Sequence, residues 1–185
     1  MDPNSTKSIF EFLLELSQES ANELINLYDS NNQKGKTSFR FAKKRDSSLR
    51  ISEQEFRFVM TCLAEKWFPS EITFSVEQPT EEDYSFSGLK AQNAWTDLSF
   101  FYNEKQALNI EFKARQPEQS VIDKDIEKLC REPIHGAWCH IFKNERSNTV
   151  STLFNRLKKA IPKYLVLNET KPISFHILIL GKKSK

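Results

Sequence analysis

Residues 95–115 read WTDLSFFYNEKQALNIEFKAR, the most informative stretch of the chain. It predicts two β-strands joined by a tight turn. On the second strand apolar and polar residues alternate, so that Glu111 and Lys113 point to one face and the apolar residues point to the other. Asp97 lies on the first strand, within reach of Glu111 across the hairpin. The alternation therefore predicts that two acids and a lysine share one face of a sheet.

Two carboxylates and a lysine in one place suit a particular kind of chemistry. Carboxylate oxygens from Asp97 and Glu111 can hold a hard divalent cation such as Mg²⁺. Lys113, beside that cation, can orient or deprotonate an attacking water. This set of groups suits metal-assisted phosphodiester hydrolysis. The alternative is that the three residues form the solvated polar face of a half-exposed hairpin.

An Asp, about a dozen further residues and then Glu-x-Lys on the next strand resembles the motif of the PD-(D/E)XK nuclease superfamily, which has the restriction-endonuclease-like fold. The family pattern has a proline before the aspartate, and this chain has Thr96 there. The resemblance implies Mg²⁺ as the cofactor, with Mn²⁺ able to replace it, bound by Asp97, Glu111 and the backbone carbonyl of Phe112. It also implies that Lys113 positions and helps to ionise the water, and that the substrate is a nucleic acid, which we expect to be DNA.

In many members of this superfamily the metal is also contacted by a glutamate. That glutamate lies near the start of the helix that precedes the three antiparallel strands. Ser52 followed by Glu55 is a capping-box pattern, which predicts that a helix begins there and runs to about residue 67. We expect Glu55 to join the catalytic and metal-binding residues, because it shares a helix face with later apolar residues. The alternatives are Glu53, which lies in the same turn, or a structural role for both as first-turn acids.

The order of the predicted helices and strands around the hairpin indicates the fold of the whole chain. The hydrophobic periodicity predicts helices at 8–28, 52–67, 120–130 and 149–165, and further strands at 72–76, 136–142 and 172–180, with a polar loop at 78–93. A helix, a three-stranded meander, a helix and a strand is the core order of the restriction-endonuclease-like fold. We expect one α/β domain with a mixed central sheet of about five strands, flanked by helices on both faces.

The predicted single domain, residues 1–185, has three parts: 1–50 form a helix and a basic arm, 51–142 form the core, and 143–185 form a last helix and strand. Net charge is only +2, but seven Lys or Arg face a single Asp between residues 34 and 50. We predict that this arm contacts a phosphate backbone through Lys43, Lys44 and Arg45; the alternative is a solvated loop. Lys124 and Lys128 are predicted as further nucleic-acid contacts or supports of the site, or as a solvated helix face.

Composition and residue spacing argue against several other classes of protein. The chain has four glycines and neither a P-loop nor a dinucleotide-binding motif. Its three cysteines have no paired spacing, which fits a reducing compartment. Cys130, His135, Cys139 and His140 match no standard zinc spacing. No apolar run is long enough to cross a membrane, so we expect a soluble cytoplasmic protein.

Two other functions stay open alongside a DNA endonuclease. One is a nucleic-acid-binding or assembly module that has the same fold and no cleavage activity. The other is an RNA endonuclease of the cap-snatching type, an interpretation weakened because no histidine precedes His135 and such enzymes usually have a metal-binding histidine in the helical region. Family members often dimerise to cut both strands, and a chain of this size permits a homodimer or a partner protein.

Overall fold

The structure is a computed structural model that describes residues 6–28, 41, 52–84, 92–143, 149–165 and 172–180. Its elements follow in the order α1 (Thr6–Tyr28), α2 (Glu53–Trp67), β1 (Ile72–Tyr84), β2 (Gln92–Tyr102), β3 (Lys105–Ala114), α3 (Gln119–Arg131), β4 (His135–Lys143), α4 (Thr149–Leu165) and β5 (Ile173–Leu180). No helix in these ranges is both long enough and apolar enough to cross a bilayer. The described chain is an α/β protein, which confirms the predicted class.

The five strands form one mixed sheet in the order β1-β2-β3-β4-β5. β1, β2 and β3 make an antiparallel meander with short connections. β3, β4 and β5 run parallel, which requires the chain to cross over between them, and α3 and α4 are the crossovers. β3 is therefore the central strand, antiparallel to β2 on one side and parallel to β4 on the other.

One face of the sheet packs against α1 and α2. α2 begins at Glu53 because the Ser52 side chain accepts a hydrogen bond from the Glu55 backbone N–H at 3.2 Å, which satisfies a donor of the first turn. The two helices and the central strands share one apolar cluster, which includes Leu16, Leu24, Phe56, Leu63, Leu98, Ile110 and Phe112. Burying one such side chain contributes about 1.5–3 kcal/mol, so this cluster is the main source of stability.

The opposite face packs against α3 and α4. Their apolar cluster is smaller and includes Ile122, Ile126, Leu129, Trp138, Phe142, Leu153 and Leu157. α3 approaches β4 closely at Gly136, where a Cβ would lie 3.1 Å from the Cβ of Leu129. This approach brings the polar residues of α3 down onto the sheet. Helices thus cover both faces.

β1 is longer than the sequence predicted. The expected polar loop at 78–93 is wrong in part, because β1 continues to Tyr84 and β2 begins at Gln92. Within this extension the Thr80 hydroxyl accepts from the Ala94 N–H at 2.9 Å and donates to the Ala94 carbonyl at 3.1 Å. A side chain thus replaces backbone pairing where the register of the two strands shifts.

Candidate functional site

The candidate site opens where β2 and β3 separate. Their ladder ends at the pair Leu98 and Ile110. At the next position, Asp97 Oδ2 accepts a hydrogen bond from the Phe112 backbone N–H at 2.7 Å. A carboxylate and an N–H at this distance form a strong, charge-assisted contact. It holds the Asp97 carboxylate where the pairing of β2 and β3 ends, and the side chain is 29% exposed there.

Glu111 lies deeper, on the face of β3 that α3 covers. Its side chain is 2% exposed, and Nζ of Lys128 on α3 lies 2.6 Å from its Oε1. The same ammonium donates a hydrogen bond to the Trp95 carbonyl at 2.7 Å. Buried charges are tolerated when they are paired and hydrogen-bonded. Lys128 supplies the opposite charge for Glu111 and joins α3 to both β2 and β3.

Lys113 lies on the same face, two residues further along β3. Its Nζ lies 3.0 Å from Oδ2 of Asp125 on α3, and it donates to the Phe112 carbonyl at 3.0 Å. Asp97 contacts the N–H of that same residue. Asp97 and Lys113 therefore both contact the backbone of Phe112, and Glu111, the residue before it on β3, is near enough to both for their charges to shift its pKa.

Burial changes the protonation of the acids. Burial raises the pKa of Glu111 to about 8; the Lys128 ammonium lowers this pKa, and the carboxylates of Asp125 and Asp97 raise it. Burial likewise raises the pKa of Asp125, against the opposing effects of Lys113 and Lys128. A carboxyl group with a raised pKa binds a proton more tightly than usual, and a metal that binds there displaces that proton. The site can therefore accept further positive charge.

The Lys113 ammonium stays charged at neutral pH. Burial by itself would lower the pKa of Lys113, but the carboxylates of Asp125, Glu111 and Asp97 outweigh burial and hold the pKa above its ordinary value. A lysine in this state donates hydrogen bonds and does not accept a proton. The geometry favours a Lys113 that orients water or stabilises negative charge over one that deprotonates water itself.

The first turn of α2 reaches the site through Glu53. Its Oε1 accepts a hydrogen bond from the Ala114 backbone N–H at 3.3 Å, and its charge contributes to the raised pKa of Lys113. For Glu55, the preferred candidate from the sequence, the structure gives a backbone hydrogen bond to Ser52 that completes the helix cap. Glu53, the alternative to Glu55, thus contacts β3 directly.

Arg57, one turn further along α2, borders the exposed side of the site. Its Nη1 lies 3.6 Å from Asp97 Oδ1, and its Nη2 lies 3.4 Å from Glu77 Oε1. The same Nη1 donates to the Asp97 carbonyl at 3.4 Å. Arg57 and the Phe112 N–H thus contact different oxygens of the Asp97 carboxylate and together limit its movement.

The donor atoms at the site are all oxygens. The carboxylates of Asp97 and Glu111 and the carbonyl of Phe112 suit Mg²⁺ or Mn²⁺ better than a metal that prefers thiolate or imidazole. In the described part of the chain, no group of three or more His, Cys, Asp or Glu side chains is arranged to hold a metal. Mg²⁺ commonly binds to one or two carboxylates and completes its shell with water and substrate phosphate. The residues present fit that pattern.

Cys139 and His140, neighbours on β4, face opposite sides of the sheet, as alternation predicts. Cys139 Sγ lies 3.8 Å from the Ser17 hydroxyl on α1. His140 Nε2 lies 2.7 Å from the Arg115 carbonyl, and burial lowers the pKa of His140 to about 4. His140 is therefore neutral and donates its Nε2 proton to that carbonyl.

The prediction that Lys128 contacts nucleic acid at the surface is wrong. Lys128 is buried, and its ammonium is held by Glu111 and the Trp95 carbonyl. In this arrangement it supports the site and does not present a charge to a phosphate at the surface. Lys124 is exposed on α3. Lys43, Lys44 and Arg45 lie outside the described residues.

Asp125 and Arg57 are site residues that the sequence did not reveal. A signal existed for Asp125, because it lies among the buried residues of α3, next to Ile122, Ile126 and Leu129. A charged residue inside an apolar stripe needs a partner on the surface that the stripe covers. Arg57 has no comparable signal, since its partner depends on where β2 ends its pairing with β3.

Comparisons of the chain with models of protein families, with curated proteins and with solved structures found no significant match. What the protein does is therefore inferred from its residues and their geometry.

Proposed function

We propose that the protein is a metal-dependent endonuclease that hydrolyses phosphodiester bonds in DNA, with Mg²⁺ as the metal and Mn²⁺ able to replace it. The observation that carries this proposal is that Asp97 and Lys113 both contact the backbone of Phe112, with Glu111 next to it on β3. This is the set of groups expected of the PD-(D/E)XK superfamily. The order of helix, three-stranded meander, helix and parallel strand also supports a restriction-endonuclease-like fold.

The contacts of each residue suggest its role. Asp97, Glu111 and the Phe112 carbonyl would hold the metal, which when bound polarises the scissile phosphate and lowers the pKa of a bound water. Asp97 is held in place by the Phe112 N–H, so its carboxylate needs little reorganisation. Lys113 donates hydrogen bonds at the same carbonyl and would orient the water or stabilise a phosphate oxygen.

Two residues of α3 support these roles. The Asp125 carboxylate, 3.0 Å from Lys113 Nζ, restricts the long lysine side chain and keeps it protonated. Lys128 supplies the positive charge beside Glu111. A cation that binds to Glu111 must therefore share its carboxylate with the Lys128 ammonium or displace that ammonium from Oε1.

Other residues are proposed to contact the substrate. Lys124 on the exposed side of α3 and the arm residues Lys43, Lys44 and Arg45 would bind phosphates. A homodimer or a partner protein would supply the second cut in a duplex. These contacts would position the strand and would not take part in the chemistry.

A cleavage assay tests the proposal. Purified protein is incubated with supercoiled plasmid, single-stranded DNA and RNA, each with Mg²⁺, Mn²⁺ or EDTA. We expect DNA cleavage with either metal and none with EDTA. Asp97→Asn should abolish cleavage, because an amide keeps the shape and loses the charge. Asp83→Asn, the same change at an exposed position of β1, is the matched control and should cleave normally. Equal cleavage by the two variants would refute the assignment of the site.

One observation favours a second candidate function, a nucleic-acid-binding or assembly module without cleavage. The buried charges already pair among themselves, Glu111 with Lys128 and Asp125 with Lys113. Titration of Mn²⁺ followed by electron paramagnetic resonance separates the two functions. Binding of Mn²⁺ that Asp97→Asn abolishes supports the nuclease. Absence of Mn²⁺ binding at millimolar concentration, with and without DNA, supports the module.

A further inference from the structure

Among the described residues, Trp95 has the most exposed large apolar side chain, at 60%. Exposure alone says little, because single apolar side chains are common on protein surfaces. The position of Trp95 is informative. It lies two residues before Asp97 on β2, and the alternation of a strand places both side chains on the same face.

The backbone of Trp95 is part of the candidate site. Its carbonyl accepts a hydrogen bond from the Lys128 ammonium at 2.7 Å, and the same ammonium lies 2.6 Å from Glu111. Pro79 lies directly opposite Trp95 on β1 and is also exposed. An indole and a proline ring therefore form an apolar border beside the two carboxylates.

We propose that Trp95 stacks on an unpaired base of the nucleic-acid strand whose phosphate lies at Asp97 and Glu111. Same-face neighbours on a strand are about 6.6 Å apart, so a nucleotide with its phosphate at the carboxylates can place a neighbouring base over the indole. A base within a duplex has both faces covered, whereas a single strand or a frayed end offers a free face. This inference rests on the proposed function and makes its substrate a strand that is unpaired at the site of cleavage.

The surroundings of the indole favour this occupant over an apolar protein surface. A protein docked on Trp95 would also cover the partly exposed Asp97 carboxylate, and burying that charge without a new partner is unfavourable. A nucleotide brings its phosphate to the metal that the carboxylates would hold. The flat face of the base then meets the apolar border while the charged part of the nucleotide meets the charged part of the site.

Binding experiments test the stacking separately from cleavage. All proteins carry Lys113→Ala, so that bound strands stay intact in Mg²⁺. Fluorescence anisotropy compares labelled oligo(dT), oligo(U) and a duplex of the same length. Trp95→Ala should weaken binding of the single strands by about 5-fold or more, the range for loss of one stacked base, and Trp95→Phe should keep most of the affinity. The slope of log affinity against log salt should stay the same, because stacking releases no counterions.

Trp67→Ala is the matched control. Trp67 is 39% exposed at the far end of α2, and ten residues of helix, about 15 Å, separate it from Arg57 at the site. We expect this variant to bind as its parent does. In a Trp67→Phe background Trp95 and the buried Trp138 are the tryptophans that remain, so under selective tryptophan excitation oligo(dT) should quench the emission and the duplex should not.

The outcomes separate the two proposals. Single-strand affinity that Trp95→Ala leaves within about two-fold of the parent, well below the range for a stacked base, would overturn the stacking. So would an equal loss for single strand and duplex, or unchanged fluorescence. The difference in affinity between oligo(dT) and oligo(U) shows whether the protein prefers single-stranded DNA or RNA. Stacking that is confirmed in a protein whose wild type cleaves nothing would instead overturn the nuclease and leave the single-strand site in place.

Discussion

The two faces of the sheet differ in what they bury. Toward α1 and α2 the central strands present Leu98, Ile110 and Phe112, all inside a continuous apolar cluster. Toward α3 the same strands present Glu111 and Lys113, buried against charged partners. Apolar burial stabilises in proportion to its area, whereas an ion pair regains only part of the solvation that its charges lose. Apolar area toward α1 and α2 is therefore the stronger source of stability, and we expect the charges toward α3 to stabilise the fold less than apolar residues of the same size would.

The polar face itself has two parts. Further along the hairpin, the Ser99 hydroxyl donates to Asn109 Oδ1 at 2.6 Å, and the Gln106 amide donates to the same oxygen at 2.7 Å. The acceptor oxygen of Asn109 is satisfied by these two hydrogen bonds, while its Nδ2 is buried without a partner in the described part of the chain. The following predictions test whether the charged part, around Glu111, serves catalysis.

The largest expected effect comes from a change on the charged face. Lys113→Ala should reduce single-turnover cleavage by about 100- to 1,000-fold, the effect of losing one preorganised donor. Oligonucleotide affinity, measured by anisotropy, should change little, because the donor acts mainly in the transition state. Lys158→Ala removes an exposed lysine from α4 and serves as the control. An active Lys113→Ala enzyme would remove Lys113 from the site.

The next effect comes from the apolar face of the same strand. Ile110→Ala should reduce the free energy of unfolding by about 2–5 kcal/mol, since the side chain is fully buried and its removal leaves a cavity. Cleavage per folded molecule should stay close to that of the wild type. Urea denaturation and single-turnover cleavage measure the two quantities. A loss of stability below about 1 kcal/mol would place the stabilising core elsewhere.

Much of this comparison could be predicted from the sequence, because it depends on local patterns. Alternation was enough to assign Glu111 and Lys113 to one face, and the Ser52 cap located α2. The end of β1 was not predictable, because Pro79 and the acids after it are typical of a loop. The strand continues there because the Thr80 side chain forms hydrogen bonds with the backbone of Ala94. Asp125 and Lys128 meet their partners through the packing of α3 on β3, a long-range contact that no local pattern specifies.

Acid pH should destabilise the fold through His176 on β5. Burial lowers the pKa of His176 to about 4, while an unfolded histidine has a pKa of about 6.5. Between these values the unfolded chain binds the proton more tightly, so stability falls as pH decreases from about 6.5 to 4, by at most about 3 kcal/mol. His176→Gln should reduce this loss in urea denaturations across the range. An unchanged pH profile would assign the acid sensitivity to other groups, His140 among them.

Titration of Glu111 should make the stability of the fold depend on pH in the opposite direction. Its pKa is about 8 in the fold and 4.5 when unperturbed, so between these values the folded protein binds the proton more tightly, and stability falls as pH rises through that window. Glu111→Gln should flatten this decrease. A profile that stays steep in Glu111→Gln would place the alkaline sensitivity outside the site.

The smallest expected change in stability comes from removing the buried pair as a whole. Loss of one partner leaves the other charge buried and unpaired, which commonly costs about 3–5 kcal/mol, whereas apolar residues of similar volume in place of both partners are often neutral or stabilising. Glu111→Leu with Lys128→Met should therefore unfold within about 1 kcal/mol of the wild type, and it should cleave nothing. A double-mutant cycle in urea gives the coupling between the two positions. If the double variant instead loses several kcal/mol, the pair holds the fold together, and the module without cleavage becomes the better account of these charges. If it is as stable as the wild type and inactive, the protein maintains Glu111 and Lys128 for their chemistry, because folding does not need them.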